Sequence, residues 1–362
     1  MSEDAVPLKE LRRALVIKLR HHGDVLLASP VLSVLKTHAP QAEIDALVYA
    51  DTAAMLAGHP ALAQLHVIDR EWKSRAPWVR ARAELALLAA LRARGYDLLV
   101  HLTEHNRGAW LARLLAPRWA VAPAARGRLR VWRRSFTHLA ALPLAGGRHV
   151  VESDLDVLRR IGIQPGPQDR RLVLVPGDAA DRRVETLMAE RGIEARRFIH
   201  FHPASRWRFK CWTVEGMAAV AAALRTDGWQ IVLTAAPEAA EHRMIGAIQD
   251  RLGSPAASFA GELSLKELAA LSARARLFVG VDSAPMHIAA AMGTPVVAIF
   301  GPSGEKNWAP WGVPHRVVAS DRHGCRPCGI DGCGGGKLSD CLVSLEAGRV
   351  IAAARELLAT AA

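Results

Sequence analysis

The feature that most restricts this chain is a recurring order: a short apolar run, a polar turn, then apolar residues at helical spacing. The run Leu15-Val16-Ile17 gives way to Arg20, His21, His22, Gly23 and Asp24, and VLLASPVLSVLK follows at once. An unbroken apolar run is a strand buried on both faces, and in a parallel sheet the turn after it lies at the carboxyl end, where ligands bind. Residues 14 to 19, 43 to 48 and 97 to 101 read as strands, and 25 to 38 and 78 to 94 as helices, which is βαβ order. The order pauses at RIGIQPGPQDRRL, 160 to 172, and resumes with FIHFHP, WQIVLTAAP, RLFVGVD and PVVAIFGP. The glycines and prolines of the pause mark a linker. A chain of 362 residues also exceeds one ordinary core. The expected fold is α/β, two doubly wound domains covering 1 to 165 and 166 to 362, with a closing helix at 346 to 360 that could pack back on the first. No internal repeat is visible in the sequence.

Charge separates the halves. Residues 1 to 165 hold 24 Lys/Arg against 15 Asp/Glu, and residues 166 to 362 hold 23 against 20, so most of the formal +12 lies in the first. Its most biased stretch, RGAWLARLLAPRWAVAPAARGRLRVWRR at 107 to 134, carries eight arginines, no acid, and Trp110, Trp119 and Trp132. Such a stretch suits an anionic partner, or is a solvated basic face over core tryptophans. No nucleic-acid-binding signature accompanies it. The charged opening MSEDAVPLKELRR and the interruption of the first apolar run by Lys18 give neither a secretory signal nor a membrane span, so a cytoplasmic location is expected.

Three turns concentrate chemistry. Asp24 is either the N-cap of the helix after it or a working carboxylate. Ser205, Arg206 and Lys210 follow the run FIHFHP, where a cation and a hydroxyl donor suit a diphosphate. Asp282, Ser283, Ala284 and Pro285 open a helix carrying His287, and the free N–H groups of such a helix start form an anion site, with proline tolerated in the first turn. His287 is either packed or functional. No G-x-G-x-x-G follows a strand, and Gly334-Gly335-Gly336-Lys337 lacks the Ser/Thr of a P-loop. The Asp154-Leu155-Asp156 pattern reads as part of a capping box headed by Ser153.

Taken together, KLRHHGDVLLASPVL, HPASRWRFKCW, FVGVDSAPMHIAAAMGTPVVAIFGP and NWAPWG resemble glycosyltransferase family 9, the lipopolysaccharide heptosyltransferases, and within it the heptosyltransferase III branch. The resemblance implies a GT-B fold, two Rossmann-like domains facing a central cleft, with acceptor on the first and ADP-heptose on the second. It implies that Asp24 is the general base of an inverting transfer and that Lys210, with Ser205 and Arg206, neutralises the departing ADP. Asp282, Ser283, Ala284 and His287 would form the nucleotide turn, and Glu238 and Leu263 would line the adenosine pocket. No metal is expected for catalysis. The acceptor would be the inner core of lipopolysaccharide (Kdo and heptose on lipid A), reached peripherally at the cytoplasmic face of the inner membrane. Arg126, Arg128 and Arg130 are the acceptor-binding candidates, and nucleic acid is not an expected partner. The alternatives are another ADP-sugar donor or core acceptor, or a basic lipid- or nucleic-acid-binding module without activity.

Cys325, Cys328, Cys333 and Cys341 crowd CRPCGIDGCGGGKLSDC. A structural zinc site or four reduced thiols are the readings that suit a reducing compartment, ahead of disulfides.

Overall fold

The computed structural model describes residues 5–124, 127–141 and 147–360. The chain divides into two compact units, Met1–Leu174 and Val175–Ala362, so the change of unit falls just after the Gly/Pro-rich linker. In the first unit the elements run β1 (Arg13–Ile17), α1 (His22–Leu27), α2 (Ser29–His38), β2 (Glu43–Tyr49), β3 (Gln64–Ile68), α3 (Pro77–Arg94), β4 (Leu98–His101), α4 (Asn106–Leu115), β5 (Trp119–Pro123), α5 (Arg130–Arg133), β6 (His138–Ala140) and α6 (Val150–Arg159). The second continues with α7 (Asp178–Glu190), β7 (Phe198–His202), α8 (Val214–Thr226), β8 (Gln230–Leu233), α9 (Ala239–Arg251), β9 (Ala257–Ser258), α10 (Leu265–Arg274), β10 (Leu277–Val281), α11 (Ala284–Ala291), β11 (Val296–Phe300), α12 (Glu305–Trp308), β12 (His315–Ala319), α13 (Asp340–Val343) and α14 (Ala347–Thr360).

Each unit is a six-stranded parallel sheet, ordered β3-β2-β1-β4-β5-β6 in the first and β12-β11-β10-β7-β8-β9 in the second. Counted from its own first strand, each sheet has the same doubly wound order, which reverses direction once, between β1 and β4 and between β7 and β10. Crevices form outside the carboxyl ends of strands at such a reversal. β4, β7, β10 and β11 are buried at every position, as strands covered on both faces must be.

One expected element differs. The helix expected over 25 to 38 breaks at Ala28, because Pro30 has no N–H to continue the ladder, and Ala28 closes a tighter bond to Val25 at 3.2 Å. The closing helix α14 lays Val350, Ala354 and Leu357 on α8 and on β10 to β12, so its apolar stripe covers the sheet of its own unit.

Candidate active site

In the first unit, Asp24 stands at the carboxyl end of β1. It is the third residue of α1, whose N-cap is His21, so the N-cap expectation is corrected by three positions. Its carboxylate still serves the helix start, accepting the His21 backbone N–H at 3.3 Å, and it remains half-exposed. Beneath this turn Lys18 and Asp154 form a buried pair, with Nζ donating to both carboxylate oxygens at 2.8 and 2.7 Å. Burial pushes Asp154 up to about 6, with Lys18 opposing the rise and the Asp24 charge adding to it. Ser153 heads no helix: α6 begins at Val150 with His149 as N-cap, and Ser153 donates back to the His149 carbonyl. The capping-box reading of Ser153 therefore fails, and it concealed the Lys18 partner.

Beside the same turn lies a cavity of about 330 Å³ whose wall includes Arg70, Lys73, Arg80, Arg107, Arg128 and His105. Arg70 ties it to the Asp24 loop by donating to the Arg20 carbonyl at 2.9 Å, and Arg70 also donates at 3.1 Å to Asp51, whose carbonyl pairs with the His22 ring at 2.8 Å. Burial first, then the charges of Arg20, Arg128, Lys73 and Arg70, lower the His105 pKa. A site that disfavours one more positive charge favours an anion. Of the acceptor-binding candidates, Arg128 joins this wall, Arg130 stands exposed at the start of α5 outside it, and Arg126 lies outside the described residues. The basic run that sequence reasoning passed over is REWKS, 70 to 74, which follows β3.

In the second unit, Lys210 and Asp282 meet. They follow β7 and β10, the two strands flanking the reversal, and Lys210 Nζ donates to Asp282 Oδ2 at 2.6 Å. Asp282 is buried and Lys210 is about one-quarter exposed. The loop between Pro203 and Lys210 folds on itself: Ser205 Oγ accepts the Trp207 N–H at 3.3 Å, and Arg206 projects into solvent over the Trp207 ring. Behind it, the rings of His200 and His202 both contact the Thr234 hydroxyl, at 2.7 and 2.9 Å, and burial holds both histidines neutral, His202 near 4. Ser283 is the N-cap of α11 with its side chain on the Val281 carbonyl, Ala284 and Pro285 form the first turn, and His287 is buried on the same helix. Glu238 is the exposed N-cap of α9, after β8, and Leu263 packs partly against the core just ahead of α10. Ser205, Arg206 and Lys210 follow β7, Glu238 follows β8, Leu263 follows β9, and Asp282 and Ser283 follow β10, so these positions share the carboxyl edge of the sheet.

Of the four clustered cysteines, Cys325 and Cys333 are exposed, Cys328 is half-buried, and Cys341 is buried in α13; its thiol is pushed up chiefly by that burial, with Cys333, Cys328 and Cys325 near enough to add to the rise. Among the described residues no three His, Cys, Asp or Glu side chains are placed to hold a metal ion, so the zinc expectation has no donor set here.

Comparison with known proteins agrees with this layout. The sequence profile of glycosyltransferase family 9 (heptosyltransferase) matches residues 84–337. Lipopolysaccharide heptosyltransferase 3 of Escherichia coli is 38% identical over 81% of this chain and 84% of its own length, and lipopolysaccharide heptosyltransferase 1 of Pseudomonas aeruginosa is 27% identical over 87% and 86%. Among solved structures, the glycosyl transferase family 9 protein of Veillonella parvula superposes with a TM-score of 0.81 at 21% identity, covering 99% of this chain and 100% of that one. The E. coli heptosyltransferase WaaC with ADP gives a TM-score of 0.72 at 19% identity, covering 95% and 99%.

Proposed function

The chain belongs to glycosyltransferase family 9, the heptosyltransferases, and from that premise we propose that it moves a heptose from ADP-heptose to the inner core of lipopolysaccharide, a reading supported by relatives named lipopolysaccharide heptosyltransferase 3. The observation that carries the donor half is the Lys210–Asp282 pair at the reversal of the second sheet. An ammonium has three N–H donors, and Asp282 engages one, which leaves two to give to an anion. Lys210, with Ser205 and Arg206 beside it and the start of α11 opposite, is suited to the diphosphate. Asp282, Ser283, Ala284 and His287 would border the nucleotide, with Glu238 and Leu263 at its adenosine end.

The acceptor half rests on the first unit. The cavity walled by Arg70, Lys73, Arg80, Arg107 and Arg128 suits a sugar bearing carboxylates and phosphates. Asp24, held at the adjoining turn, is the general base. The acceptor oxygen forms its bond to the anomeric carbon as the bond from that carbon to the diphosphate oxygen breaks. The electron pair of the broken bond leaves on ADP, and the hydroxyl proton passes to the Asp24 carboxylate. Charge developing on the leaving oxygen is met by Lys210 and the N–H groups of α11, which supplies the stabilisation without routing the step through a metal. The acceptor is lipid-anchored, and the enzyme meets it at the cytoplasmic face of the inner membrane.

The test is mass spectrometry of a purified core acceptor carrying two heptoses, incubated with ADP-heptose. The native chain should add one heptose, and Asp24→Asn should lose roughly 10²- to 10⁴-fold in rate with ADP affinity kept. Failure to add heptose while binding ADP would assign a different donor or acceptor. Full activity in Asp24→Asn would return that carboxylate to its helix-start role alone.

A further inference from the structure

The large exposed apolar side chains of the first unit are not scattered. Among the described residues, and apart from Val67, they all lie on α3, α4 and α5 or at the cap of α5, three helices packed in succession: Trp78 is 75% exposed, Leu85 66%, Trp110 61%, Leu129 78% and Val131 58%. Soluble surfaces carry such residues singly, and a contiguous group marks a place where something docks. On α4 and α5 the apolar group is set among arginines. Arg130, Arg133 and Arg134 share one face of the α5 turn, and among the described residues no carboxylate pairs with any of the three; Arg113 on α4 instead clamps α5, donating to Ser135 Oγ and to the Val131 carbonyl at 2.7 Å each. Between the two helices opens a cavity of about 230 Å³ with Trp110, Leu129 and Trp132 in its wall, and the buried Trp132 Nε1 has no hydrogen-bond partner there. Asn106 and Arg128, joined by a hydrogen bond of 3.2 Å, line both this cavity and the basic one, so the two adjoin.

We propose that the α4–α5 face docks on an anionic lipid bilayer, with Trp110, Leu129 and Val131 entering the headgroup region and Arg130, Arg133 and Arg134 meeting lipid phosphates. The chemistry favours this occupant. Indole and leucine side chains gain by leaving water, while long arginine stems let the guanidinium stay at the phosphate level. A second copy of the chain would set three arginines without a carboxylate partner against three, a like-charge contact. No helix of the described residues is long and apolar enough to cross a membrane, so attachment of this kind is peripheral. The purpose of docking rests on the lipid-anchored acceptor proposed above: the bilayer face adjoins the cavity assigned to that acceptor.

The experiment is sedimentation of the full chain with vesicles of phosphatidylcholine alone or with 30 to 40% phosphatidylglycerol (about the anionic content of the inner leaflet target) at low and moderate salt. The native chain should bind the anionic vesicles and release them as salt rises. Arg133→Gln/Arg134→Gln should weaken binding roughly 25-fold, about fivefold for each arginine near the surface. Trp110→Ser/Leu129→Ser should abolish the binding that survives at moderate salt. Both variants should transfer heptose to a delipidated core oligosaccharide as the native chain does. Equal binding to neutral vesicles, no binding to anionic ones, or binding untouched in both variants would overturn the proposal, as would a concentration-dependent dimer that Trp110→Ser/Leu129→Ser dissolves. Failure of the delipidated transfer in the native chain would instead overturn the heptosyltransferase reading and leave the vesicle result standing.

Discussion

At the scale of residues, the buried Lys18–Asp154 pair sets a testable demand on the turn that carries Asp24. Lys18 opposes the effect of burial on Asp154, whose carboxyl is raised from 3.8 to about 6. Replacing Lys18 with methionine removes that opposition, so the folded-state value rises further while the unfolded one stays ordinary. The folded variant then holds its proton above pH 6 where the native protein has already released it, and the unfolded chain of both is ionised. Stability of Lys18→Met relative to the native chain must therefore fall as pH rises above about 6, by about 1.4 kcal/mol for each unit until the new value is reached, and run parallel below it. Urea unfolding at pH 5, 7 and 8 measures this, and a penalty that does not change with pH would mean that Lys18 contributes packing alone. Asp24, Lys210 and Asp282 were legible in the sequence because each follows an apolar run that had to be a buried strand. The Lys18–Asp154 pair was not, since its partners lie 136 positions apart and no local spacing records that they meet.

Elements carry the next constraint, at the place where β7 and β10 flank the reversal. Gly280 of β10 pairs with His202, the last residue of β7, and a Cβ there would lie 2.8 Å from the His202 carbonyl oxygen and 2.7 Å from the Phe278 ring. Alanine would pry the strands apart immediately ahead of Asp282 on one and of the Lys210 loop on the other. Gly280→Ala is expected to cost about 1 to 3 kcal/mol of stability and to raise the ADP dissociation constant, read by denaturation and titration calorimetry. Gly95→Ala is the control: its φ of +62° lies in the left-handed region and its surroundings are open, so it should cost about 1 kcal/mol and leave ADP binding alone. Stability lost with ADP affinity intact would show that strand spacing does not govern the Lys210–Asp282 pair. The same level explains the one helix that sequence periodicity joined and the structure divides. Apolar spacing continues through Ala28, but the hydrogen-bond ladder cannot pass Pro30, and spacing is blind to a missing donor.

For the whole molecule, two sheets of identical strand order arise from halves with no visible repeat, because a doubly wound sheet asks only for buried strands and covering helices and not for particular residues. What the halves do not share is charge, and that difference has a kinetic consequence. The first unit holds most of the net +12 and gathers Lys73, Arg80 and Arg128 around one cavity, whereas the second sets its Lys210 against a carboxylate. Clustered charges of one sign draw an oppositely charged partner from beyond contact distance, and salt screens that attraction over about 8 to 10 Å at 0.1 to 0.15 M. The KM for a delipidated, phosphorylated core acceptor should therefore climb with sodium chloride, by about tenfold between 0.05 and 0.5 M, while kcat holds. The KM for ADP-heptose should move less, since its main cation already has a neutralising partner. Lys73→Gln/Arg80→Gln changes two exposed cations that form no ion pair among the described residues, so it should raise the acceptor KM at low salt and flatten its salt slope, with little change at 0.5 M. Equal slopes for both substrates, or an acceptor slope that survives the double replacement, would remove this cavity from acceptor capture and leave the charge of the first unit to the bilayer face.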